Sequence, residues 1–136
     1  MIDRLLYYLK LYKAHRIARK FAASYEYLDR DIQFHPDMDV RLDLYTLAGK
    51  GFPVLVFVHG GYWSHYHKEL FAPAAMKLLP EGIAVVIPDH TLYPHARYEQ
   101  MTHEIAAALS WTLRNIEQYG GDPKRVFLCG HSSGAH

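Results

Sequence analysis

Apolar and polar positions follow three different rhythms along this chain. At the N-terminus, Ile2, Leu5, Leu6, Leu9, Tyr12, Ile17 and Phe21 recur at roughly helical spacing among basic residues, which predicts a basic amphipathic helix. Residues 27–39 are polar, contain a proline and carry Asp29, Asp31, Asp37 and Asp39, so they read as a solvated connector. A two-residue rhythm follows over 40–47, with Val40, Leu42 and Leu44 set against Arg41, Asp43 and Tyr45, as in a half-exposed strand. Three largely apolar runs, 53–59, 83–87 and 125–129, have the pattern of strands buried on both faces. Between them lie two predicted helices. The first, over 69–79, is stopped by Pro80 and Gly82. The second, over 98–118, has Met101, Ile105, Ala108, Leu109, Thr112, Leu113 and Ile116 on its inner face and is ended by Gly120-Gly121-Asp122-Pro123. Apolar strands alternating with helices predict an α/β protein with a parallel sheet and right-handed crossovers.

Composition narrows the function more than the fold. The chain has 136 residues, half of them apolar and 21% charged, which suits one globular domain or part of one. A net charge of +1 gives no reason to expect a nucleic-acid partner. No apolar run approaches the length of a membrane span. Cys129 is the only cysteine, so neither an internal disulfide nor a cysteine zinc site is expected; a reducing, cytoplasmic location fits. The first twenty residues hold Arg4, Lys10, Lys13, Arg16, Arg19 and Lys20 against Asp3 alone. That balance also suits a mitochondrial presequence or a helix lying on an anionic membrane. The simplest expectation is a surface helix, residues 1–26, whose apolar stripe packs on a domain formed by residues 27–136.

Two loops carry chemistry. The last strand runs into Gly130-His131-Ser132-Ser133-Gly134, a G-x-S-x-G pentapeptide. Placed after a buried strand, it makes a strained turn that aims Ser132 away from the sheet. The first apolar strand ends in His59-Gly60-Gly61-Tyr62-Trp63. Paired glycines there let backbone N–H groups face a pocket, as stabilisation of a tetrahedral oxyanion requires. Both loops sit at carboxyl ends of parallel strands, where such sheets place their sites. His65, His67, Asp89 and His90 invite a metal reading, but their loop spacing fixes no third ligand, and no metal is expected.

Together these loops resemble the α/β-hydrolase superfamily, in its branch of HGG-containing esterases and amidases, with kynurenine formamidase-like and small carboxylesterase sequences nearest. Lys68 after the HGGYW loop, the segment Asp89-His90-Thr91-Leu92-Tyr93-Pro94 and the GGDP turn before the elbow fit the same arrangement. The resemblance covers about residues 40–136 and leaves out the first helix. It implies Ser132 as nucleophile, with the backbone N–H groups of Ser133 and of Gly60 or Gly61 as the oxyanion hole. Tyr62 and Trp63 would wall the acyl or aryl pocket. The implied reaction is hydrolysis of a carboxylic ester or aryl-formamide through an acyl-enzyme, with no cofactor.

In the superfamily an acid and then a histidine follow the serine, and only Ala135 and His136 follow the elbow here. None of His59, His65, His67, His90, His95 or His131 is placed where the mechanism seats its base. The expectation is therefore the N-terminal portion of a mainly parallel hydrolase sheet with helices on both faces, truncated after the elbow and catalytically inactive. The last strand would be an open edge prone to self-association. The alternative is a non-catalytic pseudoenzyme or isoform that binds a protein partner or a membrane surface.

Overall fold

The computed structural model describes residues 2–136. Helix α1 (Ile2–Ser24) leads into β1 (Leu28–Gln33), β2 (Arg41–Tyr45) and β3 (Phe52–Val58). A 3-10 turn over Lys68–Phe71 then enters α2 (Ala72–Leu78), followed by β4 (Ala84–Pro88), α3 (Tyr98–Asn115) and β5 (Gly121–Gly130). The sheet order is β1-β2-β4-β3-β5. β3 pairs in parallel with both β4 and β5, whereas β2 joins β4 and β1 joins β2 antiparallel. The parallel half carries both motif loops. α3 covers one face, closing a core of Leu42, Leu44, Val54, Val56, Val86, Ala108 and Ile116; α1 and α2 cover the other, over Ala18, Tyr45, Ala75, Val85 and Ile87. The result is an open α/β sheet with helices on both faces, as strands apolar on both faces implied. Each fully buried Val or Ile of β4 contributes about 1.5–3 kcal/mol of burial.

Four local expectations need correction. The polar connector contains a strand, β1, which keeps only Leu28 and Ile32 half-buried and bulges between Asp29 and Ile32. Its charges suit an edge strand, where they discourage pairing with another chain. Strand β2 is buried on both faces, because Asp43 and Tyr45 lie under α1 and Lys68 rather than in water. On α3 the inner face includes Glu104, while Leu113 points outward. Glu104 accepts hydrogen bonds from the Thr91 backbone N–H at 2.6 Å, from Thr91 Oγ1 at 2.8 Å and from Gln100 at 3.0 Å, so it pins the loop after β4.

The fourth correction concerns α1. The side of this helix against the body is Leu11, Ala14, Ala18, Phe21 and Ala22, not the stripe read from the sequence. Of that stripe only Phe21 packs inward; Leu5, Leu6, Leu9, Tyr12 and Ile17 are exposed, and the Ile2 side chain lies outside the described residues. Small residues won the contact because they let the helix approach Tyr45 and α2 closely, and Phe21 then stacks on Tyr45 at 6.0 Å. β5 is the far edge of the sheet and leaves Phe127 and Leu128 57% and 56% exposed.

Candidate active site

The elbow is strained where the pentapeptide says it should be. Ser132 has φ = 54°, a left-handed conformation disfavoured for a residue with a Cβ. Strand β5 delivers it there: the His131 N–H donates to the Val58 carbonyl at 3.0 Å, and a 3-10 turn over Ser132–Ala135 follows. Ser132 is exposed, and among the described residues no side chain hydrogen-bonds to its Oγ. The HGG loop lies directly against it. A Cβ on Gly60 would fall 2.7 Å from the His131 carbonyl and 2.9 Å from Ser132 Cβ, so only glycine lets the two loops meet this closely. Gly61 follows with φ = 140° and turns the chain so that its carbonyl accepts from Ser64 and His65. The backbone N–H groups of Gly60, Gly61 and Ser133 donate to no other group among the described residues. Gly60, Gly61, Ser132 and Ser133, expected from the sequence to share a site, are thus brought together at one point.

His59 anchors this loop. It is fully buried, its ring stacked on Phe71 at 5.0 Å and on His90 at 4.9 Å. Its Nδ1 faces the Gly60 carbonyl at 2.8 Å and its Nε2 faces Asp89 Oδ1 at 3.2 Å. The same Asp89 oxygen accepts the Lys68 backbone N–H at 2.8 Å and lies 3.5 Å from His67 Nδ1. Burial by itself would raise the Asp89 carboxyl. The hydrogen bonds from His59 and the Lys68 N–H, with the two histidines nearby, outweigh it and leave the carboxyl below its usual range. Sequence reading missed this role of Asp89; its signal was an acid placed directly after the last residue of β4.

Lys68 enters the sequence pattern only as a motif position, yet it is 2% exposed and holds a cluster together. Its Nζ reaches Asp31 at 2.7 Å, Asp43 at 3.1 Å and Glu69 at 3.2 Å, tying β1 and β2 to the turn that precedes α2. Burial opposes the charge, but these carboxylates overcome it and hold the ammonium above its ordinary range.

Two cavities flank the elbow. One, about 490 Å³, is lined by Gly60, Gly61, Tyr62 and Ser132 and walled on its far side by Tyr7, Leu11 and Ala14 of α1. Tyr7 Oη lies 3.2 Å from Tyr66 Oη across its rim. The other, about 390 Å³, is lined by Trp63, His90, Tyr98, Met101 and Ser133. Trp63 Nε1 and Ser133 Oγ are buried there without a hydrogen-bond partner among the described residues, so both are free to orient a ligand. Tyr62 and Trp63, their rings 5.7 Å apart, together wall a third cavity of about 540 Å³ that also touches Tyr98 and Met101.

His90 makes the site sensitive to acid. Burial, and then the neighbouring His59, push its pKa below 6.5, against the pull of the Thr91 carbonyl, Asp89 and Glu104. Its folded pKa being the lower, the unfolded chain takes up a proton first. Its contribution to stability is then complete above pH 6.5 and declines as pH falls through the folded pKa. Denaturant titrations at successive pH values are expected to show that decline, and His90→Phe to flatten it.

The BD-FAE family model matches residues 42–136. The chain belongs to the BD-FAE family. The isoprenylcysteine alpha-carbonyl methylesterase of Arabidopsis thaliana is 36% identical over 98 residues, covering 71% of this chain and 23% of that protein. The kynurenine formamidase of Salmo salar is 29% identical over 98 residues, covering 71% of this chain and 32% of that one. Among solved structures, the esterase of Pyrobaculum calidifontis superposes with a TM-score of 0.77 at 21% identity, over 92% of this chain and 42% of that one. This BD-FAE chain thus spans 23% to 36% of the length of such curated relatives, and its fold is that of one part of an α/β-hydrolase domain.

Proposed function

We propose that this chain supplies the nucleophile and the oxyanion donors of a serine hydrolase acting on carboxylic esters or aryl-formamides. The observation that carries the proposal is the close approach of the Gly60 loop to a strained, exposed Ser132. Ser132 Oγ would attack the substrate carbonyl and form a C–O bond, losing its proton to a base that the native protein must supply, since no histidine among the described residues hydrogen-bonds to Ser132. The negative oxygen would accept hydrogen bonds from the N–H groups of Ser133 and of Gly60 or Gly61. Collapse would expel an alcohol or an aryl amine, which takes up the proton, and water would then release the acid from the acyl-enzyme. The Arabidopsis and salmon relatives bear the names of an ester and a formamide hydrolase, so both leaving groups are offered. The test is turnover by the native protein of a p-nitrophenyl ester and of an N-formylaniline, together with fluorophosphonate labelling read by intact mass. Turnover of either substrate with label on Ser132 is the expected result; a folded protein that does neither would overturn the proposal.

That negative result would favour a second reading, for which the exposed β5 edge speaks. Phe127 and Leu128 on a strand with one open edge offer a binding surface for a protein partner or a second copy.

Gly60→Ala probes the oxyanion loop apart from the nucleophile. Its methyl group must push the loop or the elbow aside by several tenths of an ångström. A misplacement of that order is expected to lower kcat about a hundredfold, with Ser132 still in place. Unchanged kcat on a folded variant would remove Gly60 from the site.

A further inference from the structure

Helix α1 has two unlike sides. One side serves the body: Tyr7, Leu11 and Ala14 wall the cavity beside Ser132, and Ala18 is fully buried one turn on. On the opposite side Leu5, Leu9 and Tyr12 follow one another at helical spacing and are 63%, 47% and 66% exposed. Leu6 lies beside them, also exposed. The same outer surface continues through Lys13, Arg16 and Lys20, all exposed and, among the described residues, in no ion pair. An apolar cluster followed by unpaired cations is complementary to a surface that is anionic outside and apolar beneath. A second copy of the chain is a poor occupant, because the like charges of two such helices would face each other.

We propose that α1 docks the protein onto an anionic lipid surface. Leu5, Leu9 and Tyr12 enter the boundary between headgroups and acyl chains, while Lys13, Arg16 and Lys20 meet the headgroup phosphates. Among the described residues no helix is long and apolar enough to cross a membrane, so the helix lies in the interface. The cavity beside Ser132 opens on the other side of this same helix, about 10 Å away. If Ser132 is the nucleophile, as proposed above, substrates held in the lipid surface arrive within reach of it; the docking itself does not depend on that role.

Co-sedimentation of the full chain with phosphatidylcholine vesicles, with and without phosphatidylserine, tests the proposal. Binding is expected only with phosphatidylserine and is expected to weaken as salt is added. Each cation near such a surface is worth about fivefold in partition, so Lys13→Gln, Arg16→Gln and Lys20→Gln together are expected to lower it about a hundredfold. Leu5→Ser with Leu9→Ser is expected to abolish retention, with an unchanged circular dichroism spectrum in both variants. Absence of phosphatidylserine-dependent binding, or binding indifferent to both sets of changes, would overturn the proposal. So would a concentration-dependent dimer that the leucine variant dissolves in the absence of vesicle binding. Ester turnover in solution reports on the hydrolase reading separately, since an inactive protein that still binds vesicles leaves the docking intact.

Discussion

Ser132→Ala is expected to remove ester or formamide turnover by the native protein, with a fall in kcat of roughly four to six orders of magnitude. The neighbouring serine is no substitute. Ser133 Oγ is buried and faces the smaller cavity, on the other side of the elbow from the one that Ser132 lines. The fold should hardly notice the change, because alanine keeps the Cβ and Ser132 makes no side-chain hydrogen bond among the described residues. Ser132→Gly separates chemistry from strain. It should be equally inactive, yet more stable by about 1 kcal/mol, because glycine adopts the φ of 54° without the Cβ penalty. Thermal melts and turnover measured on the three proteins check both statements. Substantial activity in Ser132→Ala would place the nucleophile elsewhere.

Lys68→Ala is expected to cost about 3–5 kcal/mol of unfolding free energy, a large part of the roughly 5–15 kcal/mol available to a domain. The reason is Asp43. Its side chain is as deeply buried as that of Lys68, and the ammonium lies 3.1 Å away. Burial already pushes the Asp43 carboxyl up, with the Asp31 N–H and Lys68 pulling it back; removing Lys68 leaves a buried carboxyl without its counter-charge. Replacing both partners, as Lys68→Met with Asp43→Leu, should recover most of the loss, since an apolar pair has no charge to desolvate. Urea titration of the single and double variants makes the comparison. A single-variant cost below about 1 kcal/mol would mean that the pair behaves as an exposed one. The damage should reach the site as well, because the turn that the Lys68 ammonium ties to β1 and β2 also carries the backbone N–H that supports Asp89, which faces His59.

Much of this was legible in the sequence, for a definite reason. The strands 53–59 and 83–87 are apolar on both faces because helices cover both, and a strand with one face in water would have alternated instead. The meeting of the Gly60 loop with the elbow was legible because the close approach of two backbones leaves glycine no substitute. What escaped was decided by partners distant in sequence. Asp43 reads as solvent-facing until Lys68 is brought beside it, and Asp31 reads as loop until the same ammonium reaches it. Glu104 sits on an inner helix face because Thr91 offers it two donors, a fact no periodicity contains. The stripe of α1 differs for the opposite reason: bulk does not mark the packed face there, because Ala14 and Ala18 make the close contact and the leucines of the stripe stay outside.

The two edges of the sheet are unlike, and that limits how the molecule can assemble. β1 bulges and presents Asp29, Arg30 and Asp31, so an incoming strand finds neither a straight ladder nor a neutral one. β5 presents a continuous ladder with Phe127 and Leu128. Of the two edges, β5 is the one fit to take a further strand, so the sheet can widen in one direction only.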